Sequence, residues 1–384
     1  MHRIAIIRSA SSAVPKAQYN IQEIGVAKEL AKLGLLVDVF LISDNGKTYS
    51  EKMGFEDRVT VYRMNGISIP GQQGYYKELN GILDKNEYSL IQALDDSQIT
   101  TVLTSSYCKK RGIPFILWQG MYENYPETYK RIIQVFFDAT FLRVLRKNTK
   151  YCLAKTTSAK KYLQMKHFSN IGVIPVALDL TNFQNAPEID YREKLGIPTD
   201  KKILLYVGKV EDRRKPLFCL DTYRKVREKS DECCLVYVGQ GPMLEETHKY
   251  ADEKNIEEVY FVDRIPQNEL PALYQESSMF ILPTRYEIFG MVLMEAMYFG
   301  SPVITYQAAG PLDVIDNEKD GIVMSSFDAD QWAQKIYEHL FVLKDTDVMG
   351  EKGKKKIEKN YLWPVVAKKY YGAYMKVIKK EQEA

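Results

Sequence analysis

The chain has 384 residues, 45% of them apolar and 27% charged, with a net charge of +3. These values are those of an ordinary soluble protein long enough for two α/β domains, and no apolar run approaches the roughly 20 residues that span a bilayer. Cys108, Cys152, Cys219, Cys233 and Cys234 form an odd set without metal-ligand spacing, which suits a reducing compartment and excludes a cysteine metal site.

In chain order, a strand is predicted over 4–7, then a loop from Arg8 to Gln18 and a helix in IQEIGVAKELAKLG ended by Gly34. A strand over 37–42 completes a βαβ unit. Further strands are predicted at 59–62, 89–93, 115–118 and 151–154, and after a connector at 203–207, 234–238, 259–262, 279–282, 302–305 and 322–324. Helices alternate with them, and YLWPVVAKKYYGAYMKVIKK closes the chain as an amphipathic, aromatic-rich helix pair. Met1-His2-Arg3 leads directly into the first strand with no signal peptide, so the expected location is cytoplasmic.

Charge is unevenly spread. Residues 1–180 hold 24 Lys/Arg against 16 Asp/Glu, and Lys130 to Lys161 holds nine basic residues against Asp138 alone. An apolar series from Ile132 to Leu145 is interleaved with them. Two readings stand: a helical stretch lying on an anionic membrane surface, giving a peripheral protein, or a domain helix whose cations are solvated. No nucleic-acid motif accompanies the charge.

The segment YEIFGMVLMEAMYFGSPVITY reads as strand, tight turn, helix, turn, strand. Glu287 falls in the loop before the helix, and Gly290 near its start leaves the backbone open to close approach. The first helix amides lack partners and favour an anion, while Glu295 lies about two turns on and suits neutral hydroxyls. A phosphate seat between two hydroxyl-binding carboxylates fits a nucleotide sugar.

From Glu287 to Glu295 the chain resembles the E-x(7)-E signature of the retaining glycosyltransferases of family 4, and the likeness extends from VYFVDRIPQNEL to QAAGPLDVIDNEKDGIVM. The resemblance implies that Glu287 contacts the donor sugar and Glu295 the ribose. It implies that Phe289, Gly290, Met291 and Val292 hold the diphosphate, with Arg264 and Ile265 in the base loop. In ILLYVGKVEDRRKPL, Lys209 and Lys215 match the two basic positions that grip the donor pyrophosphate, where fixed cations stabilise the leaving charge. Glu287, Lys209 and Lys215 are therefore the expected catalytic residues, and Arg213 and Arg214 read as solvated neighbours. The first cation is Lys where Arg is commoner, replacing a fork by a point charge.

VIPVALDLTNF resembles the family's interdomain connector through Asp179 and Phe183, with Val176-Ala177 in place of Asn-Gly. GQGPM at 239–243 resembles its G-x-G-P turn and lacks the third glycine of a dinucleotide fingerprint, which argues against a nicotinamide dehydrogenase. The first half departs further. Its loop SASSAVPKAQYN has no glycine, and Gln119 stands where the family has His. Gln119 cannot titrate but can bind a sugar hydroxyl, and with the small Ser12 and Ala13 it is the candidate acceptor site. Asp95-Asp96 reads as a strand-end turn in preference to a metal pair, and His2, His167, His248 and His339 read as structural.

The expectation is an α/β GT-B protein of two facing Rossmann-like doubly wound domains, with its active site in the cleft. Residues 1–177 form the acceptor domain, 178–360 the nucleotide-sugar domain, and 361–384 a helix returning to the first. The expected activity is retaining, metal-independent hexosyl transfer, without cofactor, from a UDP-sugar (favoured over a GDP-sugar) to a glycan or lipid-linked acceptor in surface polysaccharide assembly. The alternatives are an inactive nucleotide-sugar-binding or assembly subunit, and a nucleotide-sugar epimerase on the same fold.

Overall fold

The structure, a computed structural model, describes residues 1–9, 13–14, 20–69 and 73–383. It divides into two compact units, Met1–Asp179 with Trp363–Ala384, and Leu180–Leu362.

The first unit contains strands β1 (Arg3–Ile7), β2 (Leu36–Ile42), β3 (Tyr49–Met53), β4 (Val59–Met64), β5 (Gly66–Ile69), β6 (Gln73–Tyr76), β7 (Leu90–Leu94), β8 (Phe115–Gln119), β9 (Tyr151–Ala154) and β10 (Ile171–Val173). Eight of them form one sheet in the order β10-β9-β8-β7-β1-β2-β4-β3, and β5 and β6 make a separate antiparallel pair. All neighbours in the large sheet run parallel except β3, which pairs antiparallel with β4. Near-continuous apolar runs such as RIAII and FILWQ form these strands because helices cover both faces. The chain builds outward from β1 through β2 and β4, then returns to build the other side from β7. The topological switch therefore lies between β1 and β7.

Ala5, Ile7, Ile91, Ala93, Phe115 and Leu117 face one core, shared with Phe137, Leu142 and Leu145 of the helix Thr128–Asn148. On the opposite side, the C-terminal helix Trp363–Gln382 packs beside the helix Gln22–Lys32. Trp363 lies so near Gly25 that a Cβ there would meet its indole at 2.2 Å. Trp118 meets Tyr370 edge to face at 5.8 Å, and the Tyr374 hydroxyl donates to Oε1 of buried Gln92 at 2.8 Å. These contacts make the last helix an integral part of the first unit's core.

The second unit contains β11 (Lys202–Val207), β12 (Cys233–Val238), β13 (Val259–Val262), β14 (Met279–Leu282), β15 (Val303–Tyr306) and β16 (Ile322–Met324). They form one parallel sheet ordered β13-β12-β11-β14-β15-β16. The switch falls between β11 and β14. Leu204, Tyr206, Leu235 and Ile281 pack with Trp332 and Ile336 into its core.

The charge run from Lys130 to Lys161 covers most of the helix Thr128–Asn148, then β9 at the predicted 151–154, then the start of the helix Thr157–Met165. β3, β5, β6 and β10 were not predicted, being short, at edges or in the small pair, and without a strong apolar pattern. Among the described residues no helix is long and apolar enough to cross a membrane.

Removing the Tyr374 hydroxyl leaves the Gln92 carbonyl buried without its donor. Tyr374→Phe is expected to lower stability by about 1–3 kcal/mol, read as a fall in the unfolding midpoint. An unchanged midpoint would mean the bond contributes nothing net.

Candidate functional site

In open parallel sheets the ends of adjacent strands diverge at the switch point and leave a crevice at the carboxyl edge. In the second unit the loop after β11 meets the loop after β14 at that place. The Arg285 amide donates to the Arg213 carbonyl at 2.9 Å, and Arg213 Nη1 donates to the Tyr286 carbonyl at 2.8 Å. Glu287 is thereby held against the basic loop. Its Oε1 accepts the Gly290 amide at 3.1 Å, and its Oε2 lies 3.6 Å from Arg214 Nη2 and 3.8 Å from Arg213 Nη1.

The expectation that Arg213 and Arg214 are solvated neighbours is corrected by this geometry. Lys215 adopts φ +50° after the short turn Asp212–Arg214, and the Arg214 side chain keeps only 13% of its surface exposed. Its Nε and Nη1 are buried without a hydrogen-bond partner. Lys209 and Lys215 stay further out, paired with Glu211 at 3.0 Å and Asp212 at 3.4 Å. Burial pushes the Glu211 carboxyl up, but hydrogen bonds from Lys209 and Arg213, with the Arg213 charge, outweigh it and hold it below the usual range. From Lys209 to Lys215 four cations face Glu211 and Asp212; with Glu287 added, the cluster keeps one positive charge in excess.

Glycines set this loop's path. Gly239 has φ +155°, and a Cβ there would fall 1.9 Å from the Gly208 carbonyl oxygen; at Gly241 it would fall 2.2 Å from that of Val210. The two loops join through Gly208 to Val238, Val210 to Gln240 and Met243 to Val210 backbone bonds. The GQGP turn is therefore the mould for the Lys209 loop. Gly290, at φ +84°, turns the chain into the helix Met291–Tyr298, whose first residues Met291 and Val292 are half-buried.

The remaining donor candidates are placed unequally. Glu295 is fully buried, and its Oε2 accepts from Gln267 at 2.9 Å and from the Tyr274 hydroxyl at 3.1 Å. Gln267 was missed, although it lies in the loop that carries Arg264 and Ile265. Arg264 is exposed and Ile265 half-buried after β13, on the same carboxyl edge. The Phe289 ring is buried against Tyr361, so only the backbone of Phe289 remains for a ligand.

In the first unit, Gln119 is fully buried. Its Nε2 donates to Asp96 Oδ1 at 3.0 Å and the Met121 carbonyl at 3.1 Å, and its Oε1 accepts the Asp96 amide. The structure thus engages both ends of the amide that was expected to bind a sugar. Ser12 lies outside the described residues, and Ala13 is exposed. Asp95 and Asp96 point to different partners: Asp95 accepts the Gly120 amide at 2.9 Å, and Asp96 pairs with Lys166 at 2.6 Å.

Sequence reading missed a polar group at this unit's own switch edge. Arg8 follows β1 and pairs with Glu23 at 3.3 Å; Asp95 follows β7; Lys155 follows β9 with its ammonium 4.3 Å over the Trp118 ring. Burial lowers the Lys155 pKa, and the Asp95 charge opposes that shift. The available signal was a charged residue immediately after a buried strand, repeated three times.

Residues 187–356, somewhat under half of the chain, match the family described as glycosyl transferases group 1. A GDP-mannose-dependent alpha-(1-6)-phosphatidylinositol monomannoside mannosyltransferase of Mycobacterium tuberculosis is 25% identical over 213 residues, covering 52% of this chain and 54% of that protein. The chain thus spans about half the length of this relative, and likewise of an uncharacterized glycosyltransferase of Methanocaldococcus jannaschii that it matches. Sucrose-phosphate synthase from Thermosynechococcus elongatus superposes with a TM-score of 0.75 at 20% identity, covering 99% of this chain and all of that one. HepE from Anabaena in complex with UDP-glucose gives 0.72 at 14% identity, covering 98% of this chain and all of that one. The fold is GT-B.

Gly239→Ala combines a left-handed conformation with a backbone clash. It is expected to cost about 1–3 kcal/mol of stability and to displace the Lys209 loop. A crystal structure of the variant with that loop unmoved and an unchanged unfolding midpoint would contradict the mould assigned to Gly239.

Proposed function

We propose that the chain is a retaining glycosyltransferase that takes a sugar from a nucleoside diphosphate sugar, a UDP-sugar in preference to a GDP-sugar. The acceptor is a glycan or glycolipid in cell-surface polysaccharide assembly. The observation that carries this reading is the meeting of a four-cation loop with Glu287 at the switch point of the second unit.

Cleaving a sugar–phosphate bond places negative charge on the departing diphosphate, and preorganised cations lower that barrier. Lys209 and Lys215 are suited to this because the Lys215–Asp212 pair lies at the surface, where such pairs contribute only about 0–1 kcal/mol, and half-buried Glu211 keeps Arg213 when Lys209 leaves it. Exchanging Glu211 and Asp212 for a diphosphate therefore costs little. Arg213, Arg214 and the Gly290 amide hold Glu287 in place, so its carboxylate accepts hydrogen bonds from hydroxyls of the donor sugar. Glu295 takes the ribose hydroxyls when Gln267 yields its place. Attack comes from the same face as the departing diphosphate, whose phosphate oxygen takes the acceptor proton. The anomeric configuration is retained. The pyrophosphate seat is made of lysines and backbone amides and needs no metal.

Lys215→Ala is expected to reduce transfer by about 10²–10³-fold with the fold intact. Near-normal transfer by the folded variant would remove the pyrophosphate assignment.

The two glutamates are separable by ligand. In titrations, Glu295→Gln should weaken UDP and UDP-sugar alike, while Glu287→Gln should weaken the intact nucleotide sugar and leave UDP nearly unaffected. Equal losses on both ligands would refute this division. Transfer should also persist in excess chelator; magnesium-reversible loss would contradict the lysine-based seat.

A further inference from the structure

The helix Thr128–Asn148 buries one face and leaves a second apolar face in water. Gln134, Phe137, Leu142, Leu145 and Asn148 are its buried residues. Tyr129, Ile132, Val135 and Phe136 stand out with 61%, 65%, 60% and 66% of their surfaces exposed. Scattered exposed hydrophobics are ordinary, but four within eight residues of one helix form a continuous patch of the kind that marks an interaction site.

The same face is cationic. Arg131, Arg143 and Lys147 are exposed, and among the described residues none of them has a carboxylate within ion-pair distance. Ile132, Phe136, Thr140, Arg143 and Lys147 follow one another at helical steps of three or four, so apolar groups and cations share one stripe. The other charges of the helix are already engaged. Lys130 pairs with Glu127, Arg146 donates to the Lys166 carbonyl, and Asp138 is held 2.9 Å from Lys166. The helix's only carboxylate is thereby turned to Lys166, which it shares with Asp96, and makes no ion pair with Arg131, Arg143 or Lys147.

We infer that this face docks on an anionic lipid bilayer. Phe136, Ile132, Val135 and Tyr129 enter the headgroup boundary, and Arg131, Arg143 and Lys147 pair with lipid phosphates. A helix packed along the flank of its unit by its buried residues presents such a stripe lengthwise, which is how interfacial amphipathic helices lie. A second copy of the chain is disfavoured as the occupant, because a two-fold contact over this stripe would bring the cations of one copy to the equally cationic face of the other. The inference rests on this surface alone and is independent of the nucleotide-sugar reading, which UDP titration tests separately.

The experiment is sedimentation of the full chain with vesicles of phosphatidylglycerol and phosphatidylcholine, against phosphatidylcholine alone, at low and high salt. The expected result is binding to the anionic vesicles only, falling as salt screens the surface. Arg131→Glu/Arg143→Glu/Lys147→Glu and Ile132→Ser/Phe136→Ser should each weaken it about 10²-fold or more while leaving the unfolding midpoint and UDP binding unchanged. Equal binding to neutral vesicles, or none to anionic ones at low salt, overturns the proposal. So does a concentration-dependent dimer that Ile132→Ser/Phe136→Ser dissolves, which would place a second copy on this face.

Discussion

The second unit's site depends on the approach of two guanidinium groups to one carboxylate. Arg213 and Arg214 come from the loop after β11 and Glu287 from the loop after β14, and these strands are neighbours only because the sheet reverses its order there. Arg213 also ties the loops through backbone bonds, so the cluster fixes position as well as charge. Truncating Glu287 would leave Arg214, already short of hydrogen-bond partners, as a buried charge without compensation, whereas Gln there keeps a carbonyl acceptor in place. The outer lysines differ. They have weak, replaceable partners, which is what a ligand-exchanging position requires.

The supporting features follow from that constraint. Gly239 and Gly241 let one backbone lie against another, so the Lys209 loop has a single path. Gly310 does the same on the other side: a Cβ there would fall 2.2 Å from the Phe289 carbonyl oxygen, and its amide donates to the Glu287 carbonyl. Phe289 is then locked into the core beside Tyr361. Rigid backbone on both flanks leaves the Glu287 carboxylate little freedom.

Much of this was legible in the residues. The parallel strands were readable because buried strands are near-continuous apolar runs, and Gly290 was readable as a glycine near a helix start, where the backbone is open to close approach. Side-chain direction was not. Nothing in EDRRKP distinguishes Arg214, turned inward by a left-handed Lys215, from a solvated arginine. Gln119 occupies the expected strand end, yet its amide is consumed by Asp96 and Met121, partners whose approach depends on tertiary structure. The Lys130–Lys161 charge run was visible as composition, but only the fold shows that Lys155 lies over Trp118 while Arg143 faces water.

The measurement that bears most directly on the proposed activity is a screen of UDP- and GDP-sugars for nucleotide release by the purified chain without acceptor. The account predicts slow hydrolysis of at least one, UDP-linked before GDP-linked, abolished by Lys209→Ala. Tight binding without release would indicate a nucleotide-sugar-binding subunit, and neither binding nor release across the panel would contradict the donor site itself.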